Sequence, residues 1–202
     1  MEGPFDSAID WHSEGKPDYL FGTGANTYER LLVWVAALGC TGIILLISTT
    51  LPESWNWWQI ILVVLVCMDI GGGVVANSLN SCKRTYHTPP SPQAGLTERL
   101  MKNPMIFTAW HIHPILVGGL LGGSWLQGIA WYGLVLVSAF VVLTMPLYLK
   151  RPVAMGLVLS ALFVAFYLLP LAPAFAWLGP ALFLKIVLGH IVPEEPYRPP
   201  EA

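Results

Sequence analysis

A lone carboxylate, Asp69, stands in the stretch IILVVLVCMDIGGGVVANSLNSCKRTYH, residues 60–87. Two imidazoles, His111 and His113, stand in the apolar stretch TAWHIHPIL, residues 108–116. A charge at the centre of a membrane helix costs ~2.5–3.5 kcal/mol on insertion scales, so such a residue marks a functional pathway or has a partner. Carboxylate and imidazole together support two chemistries. In one, a divalent metal, zinc or iron, is held by Asp69, His113 and His190, with water in the open position. In the other, Asp69 is a general acid and His111 or His113 a general base, as isomerisation or cyclisation requires. The similar depth of Asp and His in their segments favours the metal version.

The neighbours of Asp69 extend the pattern. On a continuous helix turning 100° per residue, Asn80 lies within about 20° of Asp69, Gly73 within about 40° and Asn77 within about 80°. Gly72 and Gly73 leave this face bare, so that a helix or a ligand chain can approach closely. His111 and His113 are two residues apart and point in nearly opposite directions, so one is expected to face Asp69 and the other a neighbouring helix. Pro114 removes a backbone N–H and frees the carbonyl of residue 110, and a kink there would redirect both rings. Asn77, Asn80, Arg84, Tyr86 and His87 are the expected substrate contacts. A polar mouth flanked by Arg and Lys suits an anionic headgroup or phosphate.

Several of these residues also have a purely structural reading. Intramembrane asparagines often only join helices. Glu29 closes a capping box on Asn26 in NTYE. An imidazolium at His190 suits a helix C-terminus.

The elements that must position these groups are membrane helices. The 202 residues are 55% hydrophobic and 11% charged, against about 25% charged in soluble domains. A helix needs roughly 20 apolar residues to cross the hydrocarbon. Six runs approach that length: 30–50, 57–81, 104–121, 126–148, 153–169 and 174–191. The expected fold is an all-α polytopic integral membrane protein with six transmembrane helices and both termini cytoplasmic. A polar segment, 1–28, precedes a membrane domain, 29–192, which contains a cytoplasmic loop, 82–103; a tail, 193–202, follows. A rival reading joins the last two runs across PLAPAFAW as one re-entrant unit. The first 28 residues have no apolar core or cleavage site of a signal peptide, so the first run is expected to act as an uncleaved signal.

The basic residues support this topology. Lys16 and Arg30, then Lys83, Arg84, Arg99 and Lys102, then Lys150 and Arg151, then Lys185 and Arg198 fall in alternate connections, which the positive-inside rule makes cytoplasmic. Trp55, Trp57, Trp58, Trp125, Trp131 and Trp177 fall near the opposite ends, as an aromatic belt would. At 1.5 Å per residue, Asp69 lies ~16–18 Å and the two histidines ~10–14 Å from the cytoplasmic side. The expected cavity therefore sits in the cytoplasmic half.

Other classes are excluded by what is missing. Cys40, Cys67 and Cys82 are far apart and odd in number, which suggests free thiols. There is no P-loop, no G-x-S-x-G elbow and no C-x-x-C-H haem site. A formal charge of −2 without any recognition motif argues against nucleic acid. The function expected is that of an intramembrane enzyme acting on a lipid or isoprenoid-like substrate, in a plasma, inner or endomembrane. Its partners would be membrane lipid and, compatibly with the apolar surface, a second copy of itself. Two alternatives share the Asp/His pattern: a proton-coupled small-molecule transporter and an accessory subunit of a membrane complex.

Overall fold

The computed structural model describes Trp11, residues 17–51 and residues 54–194. His12, Lys16, Glu195 and Arg198, and with them most of the expected tail and the placement of both termini, lie outside the described residues. Every regular element among the described residues is helical.

Helix α1, Thr27–Ser48, starts as NTYE requires. Asn26 Oδ1 accepts from Glu29 N at 2.9 Å, and Glu29 Oε2 accepts from Asn26 N at 2.8 Å. Helix α2 spans Trp57–Ala76 and is shorter than the 57–81 run. Asn and Ser compete with the helical backbone, and in NSLNS the chain turns at 77–79 before a short helix α3, Asn80–His87. Asn80 therefore does not continue the face of Asp69, and the angular expectation for it falls with the helix break.

The third apolar run is also broken. After α4, Leu96–Met101, it forms α5, Pro104–Ala109, and α6, His113–Leu120. Pro114 cannot donate to the carbonyl of Trp110, which accepts from Ile112 N instead. Helix α7 is Trp125–Thr144. Helix α8 is Leu147–Phe163 and continues in π-helical turns to Leu168. Lys150 and Arg151 lie within α8, not in a loop before it. Helix α9, Leu178–Leu182, continues as a π-helix over Phe183–His190.

Four helices, Thr27–Ser48, Trp57–Ala76, Trp125–Thr144 and Leu147–Leu168, are long and apolar enough to cross a membrane. The structure fits a helical membrane protein, with four helices of spanning length among the described residues. Their outer faces carry Leu31, Leu38, Ile61, Val137, Phe140 and Phe166, all more than half exposed. On a water-soluble protein that surface would be a large apolar patch.

The segment Leu178–His190 is too short for a regular span and lies at the centre instead. Leu182, Ile186 and Val187 are fully buried, as are Val63 and Ile70 of α2 and Ala139 of α7. Two lysines that the charge pattern places in connections are buried: Lys185 and Lys83 are 3% and 2% exposed. Trp131 likewise is no headgroup anchor: it is 1% exposed and its Nε1 donates to Leu169 O at 2.8 Å.

Candidate functional site

Asp69 lies in the second half of α2, and α9 brings Lys185 to it. Lys185 Nζ donates to Asp69 Oδ2 at 2.6 Å and to Asp69 O at 3.1 Å. The three glycines explain how the helices approach. Gly71 and Gly72 face α1, where a methyl would press on Cys40 and on Ala37 and Val33. Gly73 faces the other way. Four residues after Asp69, it lies on nearly the same face, and a methyl there would overlap the Lys185 stem. The lysine thus runs along the bare backbone of Gly73 to reach the carboxylate. Asn77, one turn further on, donates from Nδ2 to Lys185 O at 3.1 Å.

The break between α5 and α6 supplies the third member. His113 Nε2 lies 3.4 Å from Asp69 Oδ2. His111 does not pair with Asp69: its Nδ1 lies 2.8 Å from Phe107 O, and its ring centroid is 5.5 Å from that of His113. Both rings line the same cavity; His113 meets Asp69, while His111 bonds back to its own turn and not to a neighbouring helix. His113 Nδ1 is buried and has no hydrogen-bond partner among the described residues.

These groups line a cavity of about 540 Å³. The Asp69 side chain is 46% exposed, toward that space, whereas Lys185 is 4% exposed behind it. The remaining wall is mostly aromatic and aliphatic, including Tyr19, Phe21, Trp34, Leu65, Phe107 and Trp110. At the rim, Trp34, Leu65 and Trp110 are 43%, 61% and 66% exposed. They stand among apolar outer faces.

Residues 18–23 close the other side as a strap over α3. Tyr86 Oη donates to Tyr19 O at 2.7 Å, Ser81 Oγ to Phe21 O at 2.9 Å, and Arg84 Nη2 to Thr23 O at 3.2 Å. Gly22 has φ +87° and lies directly on the Ser81 backbone, where a side chain would not fit. Of the expected substrate contacts, Asn77 and Tyr86 line the cavity, while Asn80, Arg84 and His87 do not. Arg84 spends its donors on the strap.

His190 stacks on Phe107, with centroids 3.9 Å apart, and meets Tyr86 edge-on at 4.8 Å. It forms a wall beside the cavity, away from Asp69. Among the described residues, no group of three or more His, Cys, Asp or Glu is arranged to hold a metal ion. At the carboxylate oxygen where a metal would bind stands the ammonium of Lys185. The donor set Asp69, His113 and His190 does not fit a metal centre.

Behind this wall, Lys83 of α3 is enclosed by the end of α9. Its Nζ donates to Gly189 O and, at 2.7 Å, to Val192 O. Burial pushes its ammonium down to about 8. His87, also on α3, is pushed down to about 4, first by burial and then by the charge of Lys83. Burial raises the Tyr86 phenol.

Lys185 is the member that the sequence reading missed. The signal was present: a single charge within the apolar run 174–191, opposite in sign to the single charge within 57–76. No family model, curated protein or solved structure matches the chain.

Proposed function

We propose that the chain is an intramembrane enzyme acting on a lipid or isoprenoid-like substrate by metal-free proton transfer, with Asp69 and His113 as the reacting pair. The observation that carries this reading is the exposure of Asp69 into an apolar cavity while its partner Lys185 is buried behind it. The rim of Trp34, Leu65 and Trp110 supports a substrate that arrives from the bilayer, and the strap supports a site closed to water.

The roles follow from the geometry. Lys185 donates to Asp69 at 2.6 Å, a charge-assisted hydrogen bond that fixes the carboxylate orientation. Asp69 thus serves as the base and not as the acid. Asp69 passes the proton to His113 Nε2, 3.4 Å away, and His113 delivers it at a second position of the substrate, which returns both groups to their starting state, as an isomerisation needs. Lys185 touches Asp69 and is a positioning residue.

The test compares membranes containing the wild-type chain with membranes containing Asp69→Asn or Asp69→Leu, by mass spectrometry of total lipid extracts. Asparagine keeps the shape and much of the hydrogen bonding but cannot take the proton. The expected result is a lipid species made by the wild type and lost in both variants, with folding retained in detergent. An unchanged lipid profile in Asp69→Asn removes Asp69 from any reaction and favours the accessory-subunit reading.

A further inference from the structure

We infer that the cavity takes an amphiphile whose head is uncharged, a hydroxyl or carbonyl on an apolar chain, and that it rejects phosphate and diphosphate esters. The inference deepens the proposed function by naming the substrate class, and its turnover arm rests on that reading.

The argument is one of charge. Lys185 is the one Lys or Arg that lines the cavity among the described residues, and Asp69 is the one Asp or Glu. They are in contact at 2.6 Å and cancel. A phosphate would need an unpaired cation or a cluster of free N–H donors. The nearby cations are engaged elsewhere. Arg84 donates to Thr23 O, and Arg30 Nη2 lies 3.2 Å from Asp18 Oδ2. Lys83 points into the carbonyls of Gly189 and Val192. Lys102 Nζ lies 3.3 Å from Glu98 Oε1. At the break between α5 and α6, the N–H of His111 bonds to Thr108 O and that of Ile112 to Trp110 O. A phosphate would also bring its charge beside the half-exposed Asp69 carboxylate. A hydroxyl or carbonyl meets none of these costs. It can accept from Lys185 or His113, and a hydroxyl can donate to Asp69 as well.

The cavity wall suits such a molecule. Besides Asp69, Lys185 and His113, its polar side chains are His111, Asn77, Tyr19 and Tyr86, all able to meet an uncharged head, and most of the rest is aromatic or aliphatic. A chain could extend from the mouth between lipid tails with its head held at Asp69.

The experiment measures binding of farnesol, farnesyl phosphate and farnesyl diphosphate to the full chain in phosphatidylcholine nanodiscs. Specific binding is the part lost in Leu65→Trp, which narrows the mouth. The expected result is farnesol bound at least ten-fold more tightly than either ester. Asp69→Asn should then gain at least ten-fold for farnesyl phosphate, because it leaves the Lys185 ammonium uncancelled. Equal or tighter binding of an ester by the wild type overturns the inference, as does no gain in Asp69→Asn. Binding of none of the three ligands above the Leu65→Trp background overturns it too. Tight diphosphate binding beside an Asp69-dependent lipid product would sink this inference and leave the enzyme reading intact. Selective farnesol binding with an unchanged lipid profile would do the reverse.

Discussion

Lys185 and Lys83 invite comparison, because both are buried lysines in contact with the last helix system. Lys185 belongs to α9 and reaches out to a carboxylate that opens on a cavity. Lys83 belongs to α3 and reaches in, to the carbonyls of Gly189 and Val192. The first partner has a free side; the second partners have none. A buried cation behind an accessible anion leaves that anion available to a ligand. A buried cation among carbonyls satisfies the last acceptors of a helix end. The same residue type at similar burial therefore does different work, and the accessibility of its partner decides which.

The contrast breaks most visibly in turnover. Lys185→Met should lower the Asp69-dependent lipid product at least 100-fold, within the range of general acid–base effects. Its melting temperature should fall less than its product does: removing one member of a buried ion pair costs up to ~3–5 kcal/mol, but the exposed side of Asp69 lets water reach the carboxylate left behind. Lys83→Met should do the opposite. Two carbonyls lose their donor, at a cost of ~2–4 kcal/mol, and the melting temperature in detergent should fall while product per folded molecule is kept. Equal effects of the two variants on both readouts would abolish the distinction.

A finer test is Gly73→Ala. The added methyl meets the flexible stem of Lys185, so the lysine must shift away from Asp69. Product should fall about ten-fold, with a stability cost of ~1–3 kcal/mol, as overpacking typically gives. A variant indistinguishable from wild type would show that the close run of Lys185 along α2 is not needed.

The smallest effect is in pH. His87 is held down to about 4 from 6.5, so the unfolded chain binds the proton first as pH falls. Stability should therefore drop between pH 6.5 and 4, by about 1 kcal/mol given the partial exposure of the ring. His87→Phe should flatten that slope. Lys83 has the same sign at the other end. Its folded value of about 8 lies below 10.5, so stability should rise as pH climbs from 8 to 10.5, and Lys83→Met should remove the rise. Thermal scans across pH read both.

The sequence made the membrane helices legible because α1, α2, α7 and α8 are apolar over about their full length. The Asn26–Glu29 cap was legible because it is local. Asp69 and His113 stood out because each is polar in an apolar run. What escaped notice depends on breaks and on distance. An apolar run does not say whether its backbone stays helical, so the turns at 77–79 and 110–112 were hidden, although Pro114 pointed to the second. Lys185 was hidden by counting charges as loop markers. A lone lysine in an apolar run calls for a buried anion as strongly as Asp69 calls for a cation. Their sequence separation of 116 residues kept that pairing out of reach of local pattern.

The π-helical turns of Phe183–His190 bear on phase. Lys185 and His190 are five residues apart. On an α-helix that spacing leaves two side chains ~140° apart. With i→i+5 bonding, such as Ile191 N to Ile186 O at 2.8 Å, each turn takes more residues and the angle between the two side chains narrows. Lys185 can then meet Asp69, and His190 meet Phe107, from one side of the same helix. Removing one residue between them and restoring α pitch would leave the two ~40° apart, still on that side. The π turn thus has the form of an inserted residue absorbed without rotation. Asp69 and Phe107 hold the phase at either end, and the backbone ladder is what gave way.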